Sequence, residues 1–194
     1  MNAENAAPGA DYPVRERHQA LTIALHWLTA LLVFTQLALA ILHDQISDSE
    51  IRQDILTGHR SLGIVIWLLV LGRLAWRLQG MRLPAFPVSM SRWHQWGARV
   101  SEWGLYGLLL TQPLTGMAAT VLRGRPFDLF GIYVPSLMAP HMAWAITQVL
   151  HTLAGYGLAS LVLVHASAAI LHRVIANDGV LESMLPVCVG KPQK

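Results

Sequence analysis

With 54% apolar and only 13% charged residues, the 194-residue chain carries too little charge for a soluble globular domain, in which roughly a quarter of residues are charged. Its mean hydropathy of +0.43 points to a membrane protein. The net charge of +3 and pI near 9.4 do not make it a nucleic-acid binder, because the basic residues flank apolar stretches and form no stripe.

The first 17 residues, beginning MNAENAAPGADYP, have a composition that cannot build a core, and the sequence predicts a disordered segment there. No cleavable signal peptide is expected, since about 20 polar residues precede the first apolar run and that run lacks a small-residue cleavage site. Four apolar runs follow, at 22–42, 60–78, 100–122 and 148–173. Each is close to the length of about 20 helical residues that crosses a hydrocarbon core. The reading is an all-α integral membrane four-helix bundle over residues 18–186, with a polar tail at 187–194. That tail holds the single cysteine, Cys188, so neither a disulfide framework nor a thiolate metal cluster is available, and no CxxCH motif occurs.

Four crossings put both termini on one side. The N-terminal segment, the second connection and the tail together hold ten Lys and Arg, against four (Arg52, Arg60, Arg123, Arg125) on the opposite side. The positive-inside rule then makes both termini cytoplasmic. The first outer connection, HDQISDSEIRQDILTG, is acidic, with Asp44, Asp48, Glu50 and Asp54 against one arginine. Pro113 and Gly116 in TQPLTG predict a kink in the third run. Trp67, Trp76, Trp93, Trp96, Trp103 and Trp144 mostly fall near run boundaries, as interfacial anchors do.

Polar groups at membrane depth are expensive and tend to be functional. Of nine histidines, His18, His43, His94 and His141 lie outside the runs or at their rims and read as solvated residues. His172, at the cytoplasmic end of the fourth run and next to Arg173, reads as interfacial. Four remain. His26 sits about one turn into the first run, His59 opens the second from the outer side, and His151 and His165 lie on the fourth. Their depths pair His59 with His151 and His26 with His165. Fourteen residues at 1.5 Å per residue are about 21 Å and nearly four turns, so His151 and His165 share one face.

Neutral imidazoles from facing helices can fill both axial positions of a haem iron, and bundle cores commonly hold cofactors in this way. Two stacked pairs make two haem b sites, and a six-coordinate iron leaves one-electron transfer as the chemistry. Without CxxCH the haem is held by coordination and packing. Small residues beside the histidines, Gly63, Gly155 and Ala166 to Ala169, offer space either for porphyrin or for close helix contact.

The ordered set of HW (His26, Trp27), HRSLG (His59 to Gly63), RLAWRL (Arg73 to Leu78) and H-x13-H-x6-H followed by NDGVLESMLP resembles the bacterial cytochrome b561 family over about residues 18 to 186. The resemblance implies that His26 and His165 ligate the haem nearer the cytoplasm, and His59 and His151 the haem nearer the periplasm. It implies a multi-pass protein of the bacterial inner membrane, in contact with the lipid bilayer, that moves electrons between a periplasmic or membrane donor protein, membrane quinone (ubiquinone) and partner enzymes. One branch looks like superoxide oxidases, which pass an electron from superoxide to ubiquinone. This chain is similar to that branch in its short length and in RGRPFDLFGIYVP (Arg123 to Pro135).

Arg123, Arg125 and Arg60 lie on the outer side, where positive potential attracts an anion such as superoxide, although the four acidic residues nearby oppose that field. On the inner side, His172 is two turns beyond His165 and can hydrogen-bond a quinone. Arg73 can pair with a haem propionate. Two other functions stay open: within the cytochrome reading, a haem b subunit that relays electrons for a dehydrogenase or hydrogenase complex, and, from histidines at several depths, a histidine-lined metal-ion transporter. The transporter needs carboxylate or thiolate co-ligands, and the only acidic residue near an apolar run is Glu102, at its edge.

Overall fold

The computed structural model describes residues 17–79, 84–87, 89–135 and 140–186. The disorder expected at the N-terminus and the polar tail with Cys188 therefore lie outside the described residues, Arg17 excepted. Four long helices dominate: α1 (Ala20–Gln45), α2 (Ser49–Leu78), α3 (Arg92–Leu122) and α4 (His141–Leu171). All four are long and apolar enough to cross a membrane.

The helices are 26 to 31 residues long and overrun the apolar runs mostly at the N-terminal ends of α2, α3 and α4. Hydropathy sees only the hydrocarbon crossing, whereas helix start is set by caps. Asp48 Oδ1 accepts the N–H groups of Glu50 and Ile51 at 2.9 and 3.0 Å, and Ser91 Oγ accepts that of His94 at 3.3 Å. Both satisfy donors that a helix N-terminus leaves open. The acidic stretch expected as a connection is thus largely the first turns of α2, and His59 lies ten residues inside that helix instead of opening it.

Leu31, Leu68 and Leu163 are more than half exposed, as side chains facing lipid are. Val33, Ile66 and Val70 are buried at the centre, and Tyr106, Leu109, Leu110 and Val162 pack on them. This makes an apolar plug at mid-height. α1 packs along α2, α3 along α4, and α2 against α3. Among the described residues, neither α1 nor α2 packs closely on α4 beyond that plug.

Both ends of the described chain meet at one end of the bundle. After a π-helical turn (His172–Ala176), Asn177 and Gly179 take positive φ and reverse the chain. The returning segment carries a short 3-10 turn, Glu182–Met184. Its carbonyls accept from the N-terminal entry: Trp27 Nε1 donates to Met184 at 2.7 Å, the His18 N–H to Ser183 at 3.2 Å, and Arg17 to Leu185. Arg173 pairs with Glu182. At the other end, a hairpin not anticipated from the sequence joins β1 (Phe127–Leu129) to β2 (Ile132–Val134), antiparallel with Leu129 opposite Ile132. Its two turn residues, Phe130 and Gly131, both have positive φ (52° and 75°), the type I′ geometry that matches strand twist.

Candidate functional site

The structure brings the four histidines into two couples. His26 on α1 faces His165 on α4 with ring centres 6.4 Å apart, and His59 on α2 faces His151 on α4 at 6.3 Å. Both couples straddle the gaps where α1 and α2 stand off α4, one on each side of the apolar plug. The rings are too far apart for a hydrogen bond, and all four residues are partly buried. Two coordinate bonds of about 2 Å each, with half an imidazole ring beyond each nitrogen, put ring centres about 6 Å apart. The separation therefore suits one metal atom between each couple, held between helices that do not pack closely on each other.

His151 shows how a ring is set. Its Nδ1 lies 3.0 Å from the Gln112 carbonyl, which can only accept, so Nδ1 carries the proton and Nε2 keeps its lone pair. That leaves a neutral donor nitrogen. Room for the ring comes from Gly116, where a Cβ would lie 2.6 Å from His151 Cε1 and 2.9 Å from Nδ1. Gly116, read from sequence as part of a kink, is therefore part of the site. Gly63 and Gly155 show the close helix contact that is one of the two readings of these small residues. A Cβ there would meet Nε2 of Gln36 and of Gln112, at 3.3 and 3.1 Å, each on the neighbouring helix.

Above the His59/His151 couple, Arg60 and Ser61 hold the hairpin. The Arg60 guanidinium lies 5.4 Å from the Phe127 ring centre, and Ser61 Oγ accepts the Phe130 N–H at 2.9 Å. A polar cavity of about 80 Å³ opens beside them, lined by Gln53, Arg60, Thr120, Arg123, Arg125 and Phe127 among others. None of Asp44, Asp48, Glu50 and Asp54 lines it, and Asp48 is occupied as the α2 cap. Three guanidiniums around one small cavity make its local charge positive.

At the His26/His165 end of the bundle, Arg73 lines a smaller cavity with Thr22, Leu25, Trp76, Arg77 and Tyr106 among others, its guanidinium 5.9 Å from the Tyr106 ring centre. Arg77 pairs through both nitrogens with Glu102. The one carboxylate near an apolar run thus has a guanidinium partner, and among the described residues no group of three or more His, Cys, Asp or Glu side chains could hold a metal ion. His172 Nδ1 donates to Asp178 Oδ2 at 2.6 Å, and the Asp178 side chain is only 4% exposed. The His94 ring, read from sequence as solvated, stands edge-on to His172 at 6.2 Å. His43 and His141 stay at the rims, beside Asp44 and Trp144.

Sequence reasoning missed Asp178, Gln36 and Gln112. The signal for the two glutamines was present: each is an uncharged amide inside an apolar run, a position expensive in lipid. Asp178 sits in a loop, where an acidic residue is unremarkable in sequence.

Residues 17–187 match the sequence profile of prokaryotic cytochrome b561. The chain is 28% identical over 174 residues to cytochrome b561 homolog 2 of Escherichia coli (strain K12), covering 88% of this chain and 92% of that protein. It is 28% identical over 179 residues to a probable superoxide oxidase, CybB, of Yersinia pestis, covering 89% and 98%. Cytochrome b561 homolog 1 of Escherichia coli (strain K12) is 27% identical over 173 residues, covering 88% and 97%.

Proposed function

Because the chain belongs to the prokaryotic cytochrome b561 family, and is thus a multi-pass b-type electron-transfer cytochrome of the bacterial inner membrane, we propose that it holds two b haems and carries single electrons across the bilayer between a periplasmic donor and membrane quinone. His59 and His151 hold the outer haem, His26 and His165 the inner one, and both termini are cytoplasmic. The observation that carries this reading is the pair of couplings at 6.3 and 6.4 Å across the two gaps beside α4. When bound, the iron at each level supplies one-electron redox chemistry. The chain's own residues supply neutral imidazole nitrogens, keep water out with the Val33, Ile66 and Val70 plug, and place Arg73 where a propionate can pair with it. The test is spectral: purified protein should show b-type bands with two haems per chain, and superoxide and quinol should each reduce them. A preparation reconstituted with haem that shows no such bands overturns the reading.

Superoxide is the proposed periplasmic donor. The relative named as a probable superoxide oxidase aligns over 98% of its length, and the arginine cavity fits a small anion. Two superoxide ions each lose one electron and leave as dioxygen. One quinone takes both electrons, with two protons from the inner side, to become quinol. Replacing Arg123 and Arg125 by glutamine removes two of the three charges while Arg60 keeps the hairpin in place. The second-order rate of reduction by superoxide is expected to fall about tenfold at low ionic strength and to lose much of its salt dependence. Stopped-flow traces across a salt series check this, and an unchanged rate counts against superoxide as donor.

At the inner end the proposed quinone contact is His172, held by Asp178. Asp178→Asn conserves shape but removes the carboxylate that fixes the imidazole tautomer, and quinone reduction is expected to slow at least about tenfold. Reduction of both haems by dithionite should be unaffected. Normal quinone turnover in both Asp178→Asn and His172→Ala would move the quinone site elsewhere.

A further inference from the structure

The outer couple is built from a unit that occurs twice. On α2, His59 lies ten residues beyond the helix start, with Gly63 one turn later. On α4, His151 lies ten residues beyond the helix start, with Gly155 one turn later. In each case a glutamine from the preceding helix reaches the histidine's own backbone: Gln36 Nε2 donates to the His59 carbonyl at 2.9 Å, and Gln112 Nε2 to the His151 carbonyl at 3.0 Å. In each case the glycine makes room for that same amide nitrogen, since a Cβ would come within 3.3 or 3.1 Å of it.

We propose that Gln36 and Gln112 are positioning residues of the outer haem, a matched pair of amide clamps that fix the backbone of its two axial histidines. This rests on the assignment of His59 and His151 as its ligands. A helix carbonyl has a second lone pair beyond the one used by the helix ladder, so the amide adds a tether from the neighbouring helix without breaking the turn. The tether matters here because α2 and α4 do not pack closely on each other among the described residues. The Cα–Cβ direction of each ligand is then set by its hairpin partner before any iron is present, α1 acting on α2 and α3 on α4. Loss of a partner that orients a ligand typically lowers metal affinity about 10- to 100-fold.

The cost of these amides argues that they do more than fill space. Oε1 of Gln36 and Oε1 of Gln112 are both buried and have no hydrogen-bond partner among the described residues. A buried polar atom left unpaired is destabilising, and leucine would fill the same volume without it. No glutamine of this sort reaches the carbonyl of His26 or His165 among the described residues, so the device belongs to the outer level.

The test uses the full-length, haem-loaded chain with Gln36→Leu and Gln112→Leu, each followed by redox titration, low-temperature EPR and haem transfer to apomyoglobin. In both variants the outer haem is expected to be lost about 10- to 100-fold faster with an altered low-spin signal, while the inner haem, which also reports folding, is unchanged. Gly155→Ala crowds the Gln112 amide from the other side and should move the same signal less. Gln112→Glu, whose neutral carboxyl still donates, should restore much of the wild-type behaviour. Leucine variants that leave the outer signal and its loss rate unaltered, or that disturb both haems alike, overturn the clamp. If His151→Ala leaves the outer signal intact, the ligand assignment itself has failed, and the clamp falls with it.

Discussion

A His151→Ala chain is expected to lose the outer haem and keep the inner one, so that haem per chain, measured as the pyridine haemochrome, falls from two to about one. The two levels are independent enough for this. His165 is fourteen residues further along α4, about 21 Å away, and the plug of Val33, Ile66 and Val70 lies between. His59 alone then offers a single nitrogen where two faced each other. The mirror variant, His165→Ala, should strip the inner haem and spare the outer. Because the outer rings are nearly perpendicular (89°) and the inner ones tilted by 52°, the two low-spin EPR signals should differ, and each variant should erase a different one. Retention of both haems in either variant would show that the facing histidines are not the ligands.

The second large effect is expected at a residue that ligates nothing. Gly116→Ala places a methyl 2.6 Å from His151 Cε1, well inside contact distance. The ring cannot simply step back, because its Nδ1–H is held by the Gln112 carbonyl at 3.0 Å. Two terms oppose each other. Replacing a helical glycine by alanine favours the helix by about 1 kcal/mol, whereas forcing an extra methyl into a filled space costs about 1–3 kcal/mol. A further loss of about 1 kcal/mol follows if the Nδ1 hydrogen bond breaks. The balance falls on the ring, so the outer-haem signal should weaken or split while the inner one and the helical circular dichroism stay constant. An outer signal identical to wild type would mean that α3 shifts to absorb the methyl and that Gly116 has no part in setting the ligand.

Much of this molecule is local and so readable along the chain. Four crossings follow from four apolar runs, and the single face shared by His151 and His165 follows from 3.6 residues per turn. The pairing of His26 with His165 and His59 with His151 follows from depth alone, because a membrane fixes the height of each residue once the crossings are known. The ends of the helices do not follow, since caps such as Asp48 and Ser91 act in the polar zone, where hydropathy is silent.

What only the tertiary structure decided is which sides of the helices meet. In water an apolar stripe marks the buried face, but in lipid the outward face is as apolar as the inward one, so the sequence carries no stripe to read. That α1 and α2 stand off α4, that Gln36 and Gln112 reach the histidine carbonyls, that Gly116 makes room for His151, and that Asp178 folds back onto His172 are all contacts between distant segments. They depend on shape and on hydrogen-bond direction, quantities that appear only when the helices are side by side.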